Sequence, residues 1–482
     1  MKPKHKKIIK VPRFSTKNII YLIVLIVLLY FLRPWFHPLM MAFYTKPVLI
    51  LLIISIILIA YTFKRKKYMA ATVFLLFTIA LFIVLGLNDV IMEKYIVKET
   101  TYNKISSLPD SVGVRMLPRA VARRYLEDSL QKSREKVGGL NIVNINDMLY
   151  WTAPRIPDGF ILYFTQKVNG IMIADATKSN RETSLITKRL DVGEGIGITD
   201  SIYWKIFKKR YFINLGDVYY INKNDTILTI APIIAYKFRF PVMIPYFDGV
   251  FILNEEGKIG KYSPEQITKI KEFTNNRAFP EELARLYVDA YKYNLGILNA
   301  WFLHEDQIEI TDVYDQSNRQ PFLMPTVDGL KWIIATEPYG ESYGIFKIFL
   351  VDALSGKIDV LELNEDQTLT GPVRVVSYVK KKFPTIDWST AKVVEPRPYV
   401  INGSLYWLLS ITPSDFAGIS YTLFINSFNN EVITFENDED VYKFIEQGLG
   451  LEEEPKKESE EEKRDKLIRE IEEKLEELKK LK

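Results

Sequence analysis

The sequence predicts an α+β protein: three N-terminal transmembrane helices, then tandem helix-plus-antiparallel-meander units and a C-terminal charged helix. Three observations predict it. Charge-free apolar runs fill much of the first 87 residues, one stretch built on a turn residue, a leucine and a tryptophan is written three times, and the composition turns abruptly charged from Leu451. At 482 residues the chain is long enough for two or three domains. Its net charge of +5 averages a basic N-terminus with a mixed-charge tail, and no global basic field points to nucleic acid. Cysteine is absent, which excludes disulfides, thiolate nucleophiles and Cys-ligated zinc or iron–sulfur clusters.

A basic stretch, residues 1–17, precedes an anchor over residues 18–90. The apolar runs are Ile19–Leu32, Pro47–Phe63 and Met69–Leu87. A spanning helix needs about 17–25 such residues. The second and third runs suffice alone. The first is short, but Tyr21, Tyr30, Arg33 and Trp35 can sit at the interface and lengthen it. A buried helical hairpin would carry a polar face, which these runs lack. No small-residue cleavage site follows the first run, so a removed signal peptide is disfavoured.

Lysine and arginine set the orientation. Lys2, Lys4, Lys6, Lys7, Lys10, Arg13 and Lys17 crowd the N-terminus, and Lys64-Arg65-Lys66-Lys67 follows the second run. The positive-inside rule puts both in the cytoplasm. Three crossings then deliver everything after Leu87 to the outer face, whereas two would leave it inside. The runs contain no ionisable residue, the usual mark of an ion path, so the membrane part reads as an anchor.

The outer region divides into residues 110–262 and 263–448. "NDMLYWTAP" (Asn146–Pro154), "DGLKWIIATEP" (Asp328–Pro338) and "NGSLYWLLSITP" (Asn402–Pro413) share the tryptophan pattern. Downstream, Val351–Ile358 lies over Ile425–Val432, with looser counterparts at Ile171–Asn180 and, without a tryptophan, Val250–Tyr262. The Asp/Asn-Gly start suits a hairpin turn with positive φ. Leu330/Trp332/Ile334 and Leu405/Trp407/Leu409 then alternate onto one sheet face. Asp352 and Asn426 read as turn formers, and Gly356 or Asn430 takes the left-handed position before the next strand. Helices are expected over Pro118–Ser133, Pro280–Tyr293 and Pro372–Lys382, the last with Val373, Val376 and Val379 on one stripe. One helix on a small antiparallel sheet buries both apolar faces.

Helix, then strands ending "VDALSGKI" (Val351–Ile358), resembles PepSY-type domains, small α+β modules on the outer side of prokaryotic membranes. The resemblance covers about 65 residues per unit and implies binding or regulation; it carries over no catalytic residue and no cofactor. The tryptophan stretch and "EPYGESYG" (Glu337–Gly344) lie outside that pattern.

Candidate chemistry is sparse. Histidine numbers three, and only His304 lies in the outer region, where Glu305 or Glu309 could join it in a metal site; a solvated turn is the simpler reading. "GEGIG" (Gly193–Gly197) before Thr199–Phe212 imitates a phosphate loop but lacks its context, so a loop capped by Thr199 or Asp200 is expected. Lys205, Lys208, Lys209 and Arg210 make that helix basic. Glu337 and Glu395 ("EPRPY", Glu395–Tyr399) are the carboxylate pair to test for catalysis, with loop geometry as the alternative. Asn224 and Asn402 head glycosylation sequons.

Residues 451–482 form a charged linker and a short heptad seam, Ile468, Ile471, Leu475 and Leu478, suited to a protein partner or a second copy of the chain. The sequence therefore points to a membrane-anchored extracytoplasmic scaffold or regulatory binding protein without catalytic activity. The alternatives are a carboxylate-based extracytoplasmic hydrolase and an accessory subunit of a membrane complex.

Overall fold

The computed structural model describes residues 16–449, apart from 132, 147, 271–272, 274–275, 311–318, 341–343 and 365–367. The heptad tail lies outside the described residues. The protein is a mixed α+β structure of antiparallel sheets behind an apolar helical N-terminus.

Helices α1 (Thr16–Phe31) and α2 (Arg33–Thr45) are bent by 90° at Leu32. Proline supplies the reason: Pro34 opens α2, and its ring cannot continue the preceding turn. Helices α3 (Val48–Lys64) and α4 (Tyr68–Gly86) form a hairpin in which Ser55 Oγ lies 2.7 Å from Thr78 Oγ1. The expectation of three spanning helices is met in part. Among the described residues only α4 is long and apolar enough to cross a membrane by itself; α1 and α2 qualify together as a bent pair, and α3 is a shorter apolar helix of 17 residues. Helix α5 (Asn88–Glu99) follows α4 after Leu87, and β1 (Tyr102–Ile105) follows α5.

Four helix-led meanders come next. The first holds α6 (Arg119–Ser129), β2 (Glu135–Val137), β3 (Asn141–Ile145), β4 (Met148–Pro157), a short α7 (Phe160–Thr165), β5 (Ile171–Asp175) and β6 (Thr183–Ile186). The second has α8 (Ile202–Lys209), β7 (Asn214–Leu215), β8 (Tyr219–Lys223), β9 (Thr226–Arg239), β10 (Val242–Leu253), β11 (Ile259–Tyr262) and the capping helix α9 (Pro264–Ile267). The third has α10 (Glu281–Asp289) with a 3₁₀ turn (Ala290–Tyr293), β12 (Ile308–Ile310), β13 (Phe322–Thr326), β14 (Gly329–Pro338), β15 (Gly344–Ile345), β16 (Lys347–Asp352) and β17 (Ile358–Glu362). The fourth runs β18 (Leu369–Thr370), α11 (Pro372–Lys382), β19 (Ala391–Ile401), β20 (Ser404–Pro413), β21 (Tyr421–Asn426) and β22 (Val432–Phe435), and α12 (Asp438–Leu449) closes it.

Each meander pairs its strands in sequence order and antiparallel: β3–β4–β5–β6, β8–β9–β10–β11, β13–β14–β16–β17 and β19–β20–β21–β22. β1 adds parallel to β17, Tyr102 opposite Ile358, so the segment that follows α5 is stitched into the third meander. The hairpin tips take positive φ at Asn146 (53°), Asn224 (47°), Gly329 (100°) and Asn402 (48°), the backbone that tight hairpins need. Gly356 (79°) and Asn430 (61°) take it at the later turn.

The three tryptophans share one role. Trp151 donates its indole N–H to Leu117 O at 2.9 Å, Trp332 to Phe279 O at 3.1 Å, and Trp407 to Thr370 O at 2.8 Å. Each acceptor lies just before the helix of its own meander. The following turn closes the knot: Ala176, Ala353 and Ser427 accept from the backbone N–H of those same residues, Leu117, Phe279 and Thr370, and donate to the carbonyls of Leu149, Leu330 and Leu405. A tryptophan thus pins the helix entrance to the sheet, and the indole N–H is satisfied where it is buried. In the second meander Thr229 stands at the comparable place on β9.

One core gathers Val121 and Leu126 of α6, Trp151, Leu283 and Val288 of α10, Trp332 and Phe349. The other face of the third sheet, through Ile333 and Leu350, packs with α11 and Trp407. The third sheet is therefore covered on both sides, which explains why β14 and β16 read as continuous apolar runs. On α11 it is Val375, Val376 and Val379 that are buried, with Val373 half-buried, because the helix turns its Val375 side to this core.

Candidate functional site

Glu395 lies on β19 where the register with β20 slips between Val394 and Arg397, and the bulge holds it at φ 48°. It is fully buried. Its Oε1 accepts from the backbone N–H of Arg119 at 2.8 Å, the first turn of α6, where the helix dipole favours an anion. Its Oε2 lies 3.3 Å from Arg115 Nη2 and 3.9 Å from Arg397 Nη1. Arg397 donates to Met116 O at 2.8 Å and to Ser410 Oγ at 3.0 Å. Burial and the neighbouring Arg115 pull the Arg397 guanidinium down to about 9, and Glu395 opposes them. Glu395 thus ties α6 to the fourth sheet.

Glu337 has different neighbours. It sits on β14 opposite Glu309 of β12, buried, with Oε1 lacking a hydrogen-bond partner. Burial, helped by the Glu309 charge, pushes its carboxyl up to about 7, while Arg374 acts the other way. Because the folded pKa lies above the unfolded 4.5, the stability it contributes is full below about pH 4.5 and lost as pH rises through 7. Glu337→Gln should remove about 1–3 kcal/mol of that pH dependence, read from urea midpoints between about pH 5 and 8. An unchanged slope would refute the buried carboxyl.

His304 takes a left-handed φ of 58° after the turn Asn299–Leu303. Its Nδ1 lies 2.7 Å from Gln307 Oε1 and its ring stacks on Tyr339 at 4.2 Å. Among the described residues no group of three metal-ligating side chains forms. Asn224 is exposed at the β8–β9 tip. Asn402 is exposed at the β19–β20 tip, where its amide donates to Gly448 O.

The glycine-rich loop is placed otherwise than expected. Helix α8 starts at Ile202 after Ser201, without a side-chain cap, and Asp200 pairs with Lys167 instead. The loop presents Glu194, which accepts from Tyr203 and Tyr220 hydroxyls at 3.3 Å each. Burial raises Glu194 to about 7, and Asp217, in the β7–β8 turn, adds to the effect. Glu281, at the first turn of α10, is also raised to about 7 by burial and then by Asp217, against Arg277 and Arg119. Glu282 beside it is raised for the same first reason.

Asp217 thus acts on Glu194, Glu281 and Glu282 alike, countered by Arg277 and Arg119 at Glu281 and by Arg277 at Glu282. Arg277 donates to Asn141 Oδ1 at 2.6 Å and lies 5.7 Å over Trp332; Arg115 lies 5.6 Å over Trp151. Raised carboxyls can hold a proton for a ligand or share one with it. None of these four acids stood out in the sequence. A signal was present: "RMLPRAVARRYL" (Arg115–Leu126) and "RAFPEELARLYV" (Arg277–Val288) share Arg, Pro, Ala, Arg and Tyr at matching places, which marks both helix entrances.

The N-terminal helices are fastened to the second and third meanders. His37 of α2 stacks on Phe207 of α8 at 3.8 Å, and its Nε2 lies 2.9 Å from Ile213 O. The Arg33 guanidinium lies 4.8 Å over Trp204. On α5, Lys94 donates to Tyr293 O at 2.9 Å, Glu93 pairs with Lys292 at 3.0 Å, and Glu99 pairs with Arg239 at 2.6 Å and with Lys237.

No protein-family model and no curated protein matches the chain. Among solved structures, a crystal structure from Parabacteroides distasonis ATCC 8503 named "putative glycoside hydrolase" aligns with 69% of this chain and 79% of its own, at 12% identity. Its TM-score is 0.19, too low to carry an argument about fold or activity.

Proposed function

We propose that the chain is a membrane-anchored scaffold or regulatory binding protein, with Ile19–Leu32, Pro47–Phe63 and Met69–Leu87 crossing the bilayer and four tandem repeats standing outside the cytoplasm. One observation carries the reading. The side chains of α1, α3 and α4 are apolar and largely exposed, while the end of α1 and the adjoining helices α2 and α5 are held to the meanders by polar and aromatic contacts. Water would not tolerate that surface; lipid would. The shortness of α3 is no obstacle, because 17 residues rise about 26 Å against a hydrocarbon core of about 30 Å.

The contacts also support the orientation. Tyr30, at the end of α1, meets Trp204; α2 docks on α8 just before α3 begins; and α4 runs into α5. Three helix ends therefore lie on the meander side, and the basic loop Lys64–Lys67 lies at the far end of the hairpin. The shared tryptophan knot supports the tandem repeat, and the helix-led meander is what the PepSY-type resemblance implies. The hydrolase alternative has weaker support: Glu395 is occupied by Arg115 and a helix N-terminus, and Glu337 faces Glu309 and Arg374 instead.

Since the chain has no cysteine, single cysteines report topology cleanly. Asn224→Cys should react with a membrane-impermeant maleimide on intact cells, and Lys66→Cys only after permeabilisation. The reverse pattern would overturn the orientation.

A further inference from the structure

Between α2 and the second and third meanders lies an open cleft of about 600 Å³, within the range of small-molecule sites. Pro34, His37 and Pro38 of α2 form one wall, Phe207 of α8 and Tyr236 of β9 line the sides, and Leu286 of α10 closes the back. The lining is mostly apolar, yet Glu282 and Asn214 also reach it, and Tyr203 connects it with the Glu194 hydroxyl network. Asn214 donates its amide to the Tyr236 hydroxyl at 2.7 Å, and the exposed Glu282 brings a carboxylate to the open space.

The occupant follows from where the cleft sits. α2 turns 90° from α1, so if α1 crosses the bilayer α2 lies along its surface. Its outer face supports that placement: Trp35 is 74% exposed and Leu39 56%, an aromatic and an aliphatic side chain suited to the interface. The cleft is the other side of the same helix. An apolar volume that opens beside a bilayer has one abundant source of apolar matter, the hydrocarbon chains around it.

We propose that this cleft is a binding site for a membrane phospholipid, its acyl chain held between α2, α8 and α10 and an ammonium headgroup donating to Glu282. The inference rests on the anchored reading. An ammonium fits because the Asp217 charge outweighs that of Arg277 at both Glu281 and Glu282, so a cation relieves crowding that an anion would worsen. Burial of the chain supplies affinity, and the carboxylate selects the headgroup.

The full chain is reconstituted in nanodiscs containing phosphatidylethanolamine with a diazirine on its acyl chain, irradiated, and mapped by mass spectrometry. Labels are expected on α2, α8 or α10 as well as on α1, α3 and α4. Leu286→Trp should remove the cleft labels and keep the others; Asn214→Trp, filling the opposite wall, serves if the first variant misfolds. Labels confined to α1, α3 and α4 would overturn the cleft site while leaving the anchor standing. Failure to enter nanodiscs would overturn both. Equal cleft labelling by a choline lipid, which has no N–H, would overturn the headgroup assignment.

Discussion

Glu395→Ala should destabilise the protein by about 3–5 kcal/mol, because it leaves two guanidinium groups buried without their counter-charge. Arg115 and Arg397 are each almost fully buried, and neither can turn to solvent. The loss also uncovers the backbone N–H of Arg119 at the start of α6. Glu395→Gln keeps an acceptor for that N–H and removes only the charge, so a smaller loss is expected. Relief of the left-handed backbone does not arise in either variant, since alanine and glutamine are strained at φ 48° as glutamate is. Urea unfolding of the full chain in mild detergent, followed by tryptophan fluorescence, measures both. Parental stability in the alanine variant would show that the cluster is dispensable, and would reopen Glu395 as a residue held for another purpose.

The second large effect separates size from hydrogen bonding at Trp407, which is fully buried between α11 and its sheet. Trp407→Ala should cost about 3–5 kcal/mol through the cavity it opens. Trp407→Phe preserves much of the packing but orphans Thr370 O, for about 1–3 kcal/mol. If the phenylalanine variant matches the parent, the indole N–H has no part in holding the helix entrance. The same comparison at Trp332 tests whether the knot is general, since Phe279 O is its acceptor there.

Much of the fold could be read in advance, and the reasons are local. The hairpin tips at Asp328-Gly329 and Asn402-Gly403 announce themselves by residue type, and the alternation Leu405/Trp407/Leu409 matches the pleat that buries it. α11 has the bounds its proline and lysines suggest. The apolar helices are legible as apolar runs but not as geometry: Pro34 permits the bend at Leu32, and the sequence does not show that α2 will dock through His37. The carboxyl cluster was hidden for a similar reason. Glu194 sits in a loop that looked like a phosphate cradle, and Glu281 looked like a helix-start acid; only the packing of three meanders brings both toward Asp217. The proline-rich setting of Glu395 suggests an exposed loop, whereas the residue lies inside a bulged strand.

The pairing of β1 with β17 bears on how the chain is made. Asn103 donates to Ile358 O across a sequence separation of 255, so the stretch that follows the apolar helices waits for a partner synthesised much later. Ribosome-bound fragments ending before that partner should be vulnerable to quality-control proteases near Tyr102, and those ending after it should not. The segment after α5 and the third module therefore mature together, closed by a late strand, with the first two modules made in between and the fourth added afterwards.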